Sequence, residues 1–394
     1  MAIVAAVVAF GVRLVALFAL PQVPVAGDAL FYEDIARQLV GHLPDPPYGG
    51  FYRGFGYPLF LAGLYWITTS YVAVRIVQAL FWALAVGLAV AIAERLFGRG
   101  VAIAAAVLAL LQLAALPHFL FLLAENLLVL ELLAATAVLV FVLPSRPRLA
   151  AVAFGALLGA VALTHLGWQL FPLFGLPLLW SRRQIALGAA GCAAMIVAVL
   201  GPLHLIYPNQ PWYPSSAYSG YGAAWTFYVG TKTETDGLPT PADHAAAENR
   251  LHDDAYYWRE GIENMVEEPL ASSALWLRKQ WRLWGASQGG PPTTSPAFDR
   301  AVRNAGAPLN GVVFALAFAG IGLLASARKH RLALILAMPA LYAALVFPTL
   351  SGVEARYGFA PALLLVIPAA LLLARLRALV DRSASVAPGR RPVA

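Results

Sequence analysis

Long apolar stretches nearly free of charge recur from one end of the chain to the other, and they restrict its fold more than any other feature. A helix needs about 20 mostly apolar residues to cross about 30 Å of hydrocarbon. Ten segments qualify as crossings: residues 1–20, 72–93, 100–117, 119–143, 149–164, 166–180, 185–206, 308–326, 332–350 and 357–374. Spanning segments must satisfy their own backbone hydrogen bonds. The expected fold class is therefore an all-α polytopic membrane protein with about ten transmembrane helices. Of the 394 residues, 60% are hydrophobic and only 12% charged, against about 25% charged in an ordinary soluble domain. That balance excludes a cytosolic enzyme, and so much apolar content excludes disorder. Residues 1–20 carry Arg13 in the middle, lack a basic start and run directly into Pro21. Those are marks of a retained first helix rather than a signal peptide. Cys192, the only cysteine, lies in an apolar segment, so no disulfide can form within the chain and a small core residue is expected.

Basic residues set the orientation. Clusters fall at Arg95/Arg99, Arg146/Arg148, Arg182/Arg183, Arg328/Lys329/Arg331 and Arg375/Arg377/Arg382. With ten crossings and a cytoplasmic N-terminus, all of them land on the cytoplasmic side, as the positive-inside rule requires. This places the chain in the plasma (inner) membrane with both termini cytoplasmic. The formal charge of +7 then reflects topology, and there is no basic face or groove for nucleic acid. The expected organisation is a membrane module over 1–206 with a first outer loop at 21–71, an outer amphipathic region at 207–307, and a three-helix module with a short cytoplasmic tail at 308–394. Region 207–307 holds more than half of the 20 Asp and Glu residues. No internal repeat is evident, which counts against transporters built on duplicated halves.

The first outer loop opens with DALFYEDIARQLVG, where Phe31, Tyr32, Ile35 and Leu39 share a helical face opposite Glu33, Asp34 and Arg37. This predicts a short helix on the membrane surface, stopped by Gly41 and Pro44. Asp28 begins it, a position suited to a helix cap and equally to a carboxylate acting as general base on an acceptor hydroxyl. Arg53, beside aromatics, either snorkels to the interface or grips a phosphate bidentately. Glu125 is a carboxylate in an otherwise apolar stretch, a functional candidate by default, while the deeper Glu131 reads as structural or helix-pairing. His118, His165 and His204 fall at outer helix ends. Together with Glu125, His118 and His165 are the metal candidates, but their spacing matches no compact ligand motif, and a divalent cofactor stays open. Arg356-Tyr357 is either an interfacial anchor pair or a phosphate grip. In 207–307, one polar amphipathic helix is expected over 243–267. A second follows, with Trp276, Trp281 and Trp284 on one side and Arg278, Lys279 and Arg282 on a headgroup-facing side.

Taken in order, these motifs resemble the GT-C glycosyltransferases, in particular the dolichyl-phosphate-mannose–protein mannosyltransferase and aminoarabinose transferase group. The matching stretches are Asp28, Tyr32, Ala36, Leu39 and Gly41, then Arg53, Phe55, Gly56, Tyr57, Pro58 and Leu59. Leu123-Ala124-Glu125-Asn126 follows, then Gly155, Gly159, Leu163, Thr164 and His165. Phe227-Tyr228-Val229-Gly230 and Arg356-Tyr357 with Pro361 complete the set. Phe55 stands where many members have Pro, and Glu125 where many have Asp. The resemblance implies a helical bundle whose outer loops form a cavity, and transfer of a hexose or pentose, with inversion, from a polyprenyl-phosphate donor to a glycan, lipid or protein acceptor. It implies Asp28 and Glu125 as catalytic carboxylates, Arg53, Arg356 and Tyr357 at the donor phosphate, and Tyr32, Tyr57, His165 and Tyr228 shaping the substrate site. A transporter or flippase for a lipid-linked glycan is the alternative.

Overall fold

The structure, a computed structural model, describes residues 1–20, 25, 27–41, 54–112, 115–206, 223–249, 254–284, 295–350 and 355–385, and among these every regular element is helical. The chain begins with α1 (Ala2–Ala19), continues through α2 (Asp28–Gly41) and α3 (Gly56–Tyr65) in the first large loop, then α4 (Tyr71–Phe97) and the short α5 (Arg99–Leu110). Next come α6 (Glu125–Ala137), α7 (Pro147–Thr164), the brief α8 (Phe171–Gly175) and α9 (Arg182–Ile206). The second large loop holds α10 (Ala223–Thr231), α11 (Pro241–Glu248), α12 (Asp254–Glu267), α13 (Pro269–Trp284) and α14 (Pro296–Ala301). Helices α15 (Ala307–Ser326), α16 (His330–Leu350) and α17 (Phe359–Ser385) complete the bundle.

Among the described residues, eight helices are long and apolar enough to cross a bilayer. The other two expected crossings are shorter. Helix α5 has only 12 residues, and 166–179 is split into 3-10, α and 3-10 pieces with Pro172 and Pro177 at the breaks, because proline removes a helical donor and clashes with the preceding turn. The segment 119–143 is not helical from its start. Pro117–Leu120 is a 3-10 turn, Phe121 is extended, and α6 begins at Glu125. Both short segments still carry the chain between the two ends of the bundle. Beyond α5, Gln112 Nε2 donates to the Ala362 carbonyl in the first turn of α17 at 3.1 Å. Beyond 166–179, the Trp180 ring lies 5.8 Å from the Arg331 guanidinium.

Helix α17 is the axis of the bundle, buried continuously from Gly358 to Leu371. Its Phe359 ring stacks on Trp82 of α4 at 4.9 Å and on His118 at 4.4 Å, and the buried Arg13 of α1 lies 4.2 Å over Trp82. This cation–π contact locks α1 to α4. Helix α7 lies so close to α9 that a Cβ on Gly155 would overlap the Gly188 carbonyl, and one on Gly191 the Val152 carbonyl. Small residues permit that approach, as is usual where helices associate within a membrane.

In the loops, charge is turned inward where the helical wheel placed it outward. On α2, Glu33 is buried, accepting from Arg37 Nε at 2.6 Å and from the Tyr71 hydroxyl. The single helix expected over 243–267 is two, α11 and α12, the first started by a capping box between Thr240 and Asp243. On α13, Leu275, Lys279 and Leu283 form the buried stripe, while Leu277 and Trp281 are exposed. Lys279 Nζ donates to the carbonyls of Gly230 and, at 3.0 Å, Pro348. Arg278 reaches Asp236 at 2.7 Å, and Arg282 binds the same carboxylate. The basic side thus clasps the protein rather than headgroups, because backbone carbonyls and one aspartate satisfy these cations inside.

Burial pushes the Lys279 ammonium down to about 8 from 10.5. Between these two values the unfolded chain holds a proton that the folded chain has released, so stability rises with pH across the window, and below it the cost of the buried ammonium is fully present. Replacing Lys279 with Met should remove that rise. The expected change in the wild-type-minus-variant difference between pH 7.5 and 10.5 is up to about 3 kcal/mol, at about 1.4 kcal/mol per pKa unit, read by thermal unfolding in detergent.

Candidate active site

The site begins with a stretch of backbone that is not α-helical yet lies inside the bundle. Residues 117–124 form a 3-10 turn and an extended step instead of α-helix, and buried amides from two helices donate to their carbonyls. Gln78 of α4 donates to Phe119 O at 2.8 Å and Phe121 O at 3.0 Å. Asn126 of α6 donates to His118 O at 3.1 Å and Leu123 O at 3.2 Å. Arg75 donates to Leu120 O at 2.9 Å, and the buried Tyr57 hydroxyl donates to Gln78 Oε1. Irregular backbone at membrane depth persists only where such partners exist. The result fixes where α6 starts, and so where Glu125 stands.

Three chain-distant segments meet at Glu125. Asp28, opening α2, accepts a hydrogen bond from Arg356 Nη2 at 2.5 Å. Arg356 Nε lies 3.5 Å from Glu125 Oε1, and His165 Nε2 lies 3.8 Å from the same oxygen. Glu125 is 2% exposed, whereas the Asp28 and Arg356 side chains are 19% and 12% exposed. The buried carboxylate sits at the N-terminus of α6, where the helix dipole favours negative charge. His165 follows the last residue of α7, and its Nδ1 accepts the Gly167 N–H at 3.1 Å. That bond assigns the ring proton to Nε2, which faces Glu125. The Tyr357 ring stacks on Phe347 at 4.7 Å, meets His165 edge-on at 5.7 Å, and lies 5.5 Å from the Arg356 guanidinium.

Asp28, Glu125, His165, Arg356 and Tyr357 are therefore brought together. Tyr32 and Tyr57 are buried, edge-to-face at 5.1 Å, supporting the loop from beneath. Tyr228 packs instead with Tyr257, and Lys232 lies over its ring at 5.3 Å. His118 is held in the Phe359 stack, and His204 is exposed on α9. Arg53 lies outside the described residues. Among the described residues no three His, Cys, Asp or Glu side chains converge as a metal-ligand set. Sequence reasoning passed over Gln78 and gave Asn126 no role beyond its place in a matching stretch, although each is a polar amide in an apolar segment, the same kind of signal that singled out Glu125.

No protein-family model and no curated protein sequence matches the chain. Solved structures do. An oligosaccharyltransferase of Archaeoglobus fulgidus in its apo form superposes with a TM-score of 0.54 at 15% identity, over 100% of this chain and 53% of that protein. The oligosaccharyltransferase AglB of Archaeoglobus fulgidus, in complex with an inhibitory peptide and a dolichol-phosphate, gives 0.56 at 14% identity over 99% and 52%. A looser overlap, from which nothing follows, is with ArnT of Cupriavidus metallidurans bound to undecaprenyl phosphate (TM-score 0.42, 16% identity, 98% and 81% covered). The chain thus shares the all-helical fold of these oligosaccharyltransferase structures, with eight helices among the described residues long and apolar enough to cross a membrane. It spans about half the length of the oligosaccharyltransferases it matches.

Replacing Asn126 with Leu should strip donors from the carbonyls before α6. His118 O and Leu123 O each keep a backbone N–H donor, so the loss is that of the side-chain bonds, about 0.5–1.5 kcal/mol each, read by thermal unfolding in detergent. An unchanged midpoint would mean that water replaces the amide.

Proposed function

We propose that the chain is an inverting glycosyltransferase that moves a sugar from a polyprenyl-phosphate donor to an acceptor hydroxyl at the outer face of the membrane. The observation that carries this reading is the Asp28–Arg356 ion pair beside buried Glu125, at one end of a bundle with the oligosaccharyltransferase fold. A dolichol-phosphate bound to one protein of that fold supports a polyprenyl-phosphate donor. The basic clusters support the orientation. Helices α4, α6 and α7 each have their site-end residue, Tyr71, Glu125 or Thr164, opposite a basic junction at Arg95/Arg99 or Arg146/Arg148. The positive-inside rule turns those junctions to the cytoplasm, and with them both termini.

In the reaction, the acceptor hydroxyl gives its proton to the Asp28 carboxylate as its oxygen attacks the anomeric carbon. The bond from that carbon to the phosphate oxygen breaks, and the electron pair leaves with the lipid phosphate, whose added charge Arg356 stabilises. A single displacement inverts the anomeric centre and needs one carboxylate on the acceptor side, since phosphate departs without an acid. Glu125 holds Arg356 and His165 in place, and Tyr357 walls the phosphate end.

The test supplies purified protein in liposomes with radiolabelled polyprenyl-phosphate hexose and a membrane extract as acceptor. Changing Asp28 to Asn should lower transfer by about 10²–10⁴-fold, the usual range for a general base. Changing Arg356 to Gln should weaken donor use by at least about tenfold, corresponding to about 1.4 kcal/mol. Wild-type transfer by Asp28→Asn would remove Asp28 as the base. Movement of labelled lipid across the bilayer with no product formed would replace the reading with a flippase.

A further inference from the structure

Beneath the two carboxylates of the ion cluster lies a third carboxyl group, one that the mechanism leaves unused. Glu131 sits on α6 six residues after Glu125, about 9 Å deeper at 1.5 Å per residue. It is 9% exposed. Its Oε1 accepts the Thr164 hydroxyl at 2.8 Å, and its buried Oε2 has no hydrogen-bond partner. Among the described residues no basic side chain forms an ion pair with it. An ionised carboxylate at that depth is costly without a cation, so the group is held as a neutral acid, and its role is carried by the one hydrogen bond.

Thr164 is the last residue of α7, 1% exposed, and sits at a junction. On one side it bonds α6 through Glu131. On another it meets the first large loop so tightly that a Cβ on Gly56 would fall on its Oγ1. On the third it precedes His165, whose extended backbone turns the chain out of α7 and aims Nε2 at Glu125. We infer that Glu131 is a positioning residue: as a neutral carboxyl gripping Thr164, it fixes the end of α7 and thereby the ring orientation and tautomer of His165 against Glu125. Its kinetic consequence rests on the transferase reading, while its structural consequence stands apart from it.

The experiment compares Glu131→Leu, Glu131→Gln, Thr164→Val and Thr164→Ser in full-length detergent-solubilised protein. Histidine is labelled with ¹⁵N, and the His165 signal is assigned by its loss in His165→Asn. Gln keeps the accepting oxygen and Ser keeps the donating hydroxyl, so both should retain the wild-type His165 tautomer and kcat within about threefold. Leu and Val should shift the His165 ring signals away from the Nε2–H form. In the transfer assay they should lower kcat by about 10–100-fold, the scale of a misplacement near 1 Å, with donor KM changed less than about threefold. Thr164→Val is isosteric, so it tests the same bond should Glu131→Leu fail to fold. An unshifted His165 in Thr164→Val, or Glu131→Gln as impaired as Glu131→Leu, overturns the inference. The tautomer shift is read without turnover, so a protein with no transferase activity and a shifted His165 overturns only the transferase reading.

Discussion

One guanidinium organises the end of the bundle where the large loops gather. Arg356 sits just before the enclosed helix α17 and reaches Asp28 from the first loop and Glu125 from α6. Those carboxylates are nearly a hundred residues apart in sequence, and neither is next to Arg356. Glu125 is 2% exposed. Leaving such a carboxylate without its cation costs about 3–5 kcal/mol. The position of α17 is set in turn by its burial on all sides and by the Trp82–Phe359–His118 stack. The ion cluster is therefore a consequence of bundle packing, and α2 is drawn onto the bundle partly by the charge that waits for it.

The same end of the bundle holds several other polar groups of the interior. Gln78, Asn126 and Arg75 bind the carbonyls of 117–124, and Glu131 binds Thr164. Each of these bonds serves a place where a helix starts or stops. At the opposite end the short turns are exposed, carry the arginine clusters, and are served by exposed serines, as where Ser145 and Ser326 donate to the Val142 and Leu323 carbonyls. A membrane bundle confines irregular backbone to places where it can be satisfied, and here those places coincide with the candidate site.

Much of this was legible from charge alone. Asp28, Glu125 and Arg356 stand out because few charges remain once the basic loop clusters are set aside, and these are the residues that meet. The reading failed where it equated charge with water. Glu33 and Lys279 were placed on outward faces by helical spacing, yet both are buried, one by an arginine and a tyrosine, the other by two carbonyls. A helical wheel carries no information about tertiary acceptors. It also counts charges and overlooks amides, which is why Gln78 escaped notice and Asn126 was given no role of its own. The shortened α5 and the proline-broken 166–179 show a further limit. Hydropathy registers how long an apolar segment is, while the protein decides how much of it is helix.

The geometry also constrains how a donor would be received on the transferase reading. With His165 in the neutral Nε2–H form, Asp28, Glu125 and Arg356 leave the cluster one net negative charge, so an arriving phosphate finds a single cation already shared between two carboxylates. Arg356 cannot abandon Glu125, because the exposed cost falls on a carboxylate that water does not reach. Asp28 is different. Its side chain is 19% exposed, so solvent or an acceptor hydroxyl can take over what the guanidinium gives up. The asymmetry dictates the sequence of exchange. On that reading phosphate would displace Asp28, not Glu125, from Arg356. The carboxylate thereby released is the one proposed as base. On that reading donor binding and release of the base would be a single event, and Asp28 would not act before a sugar is in place.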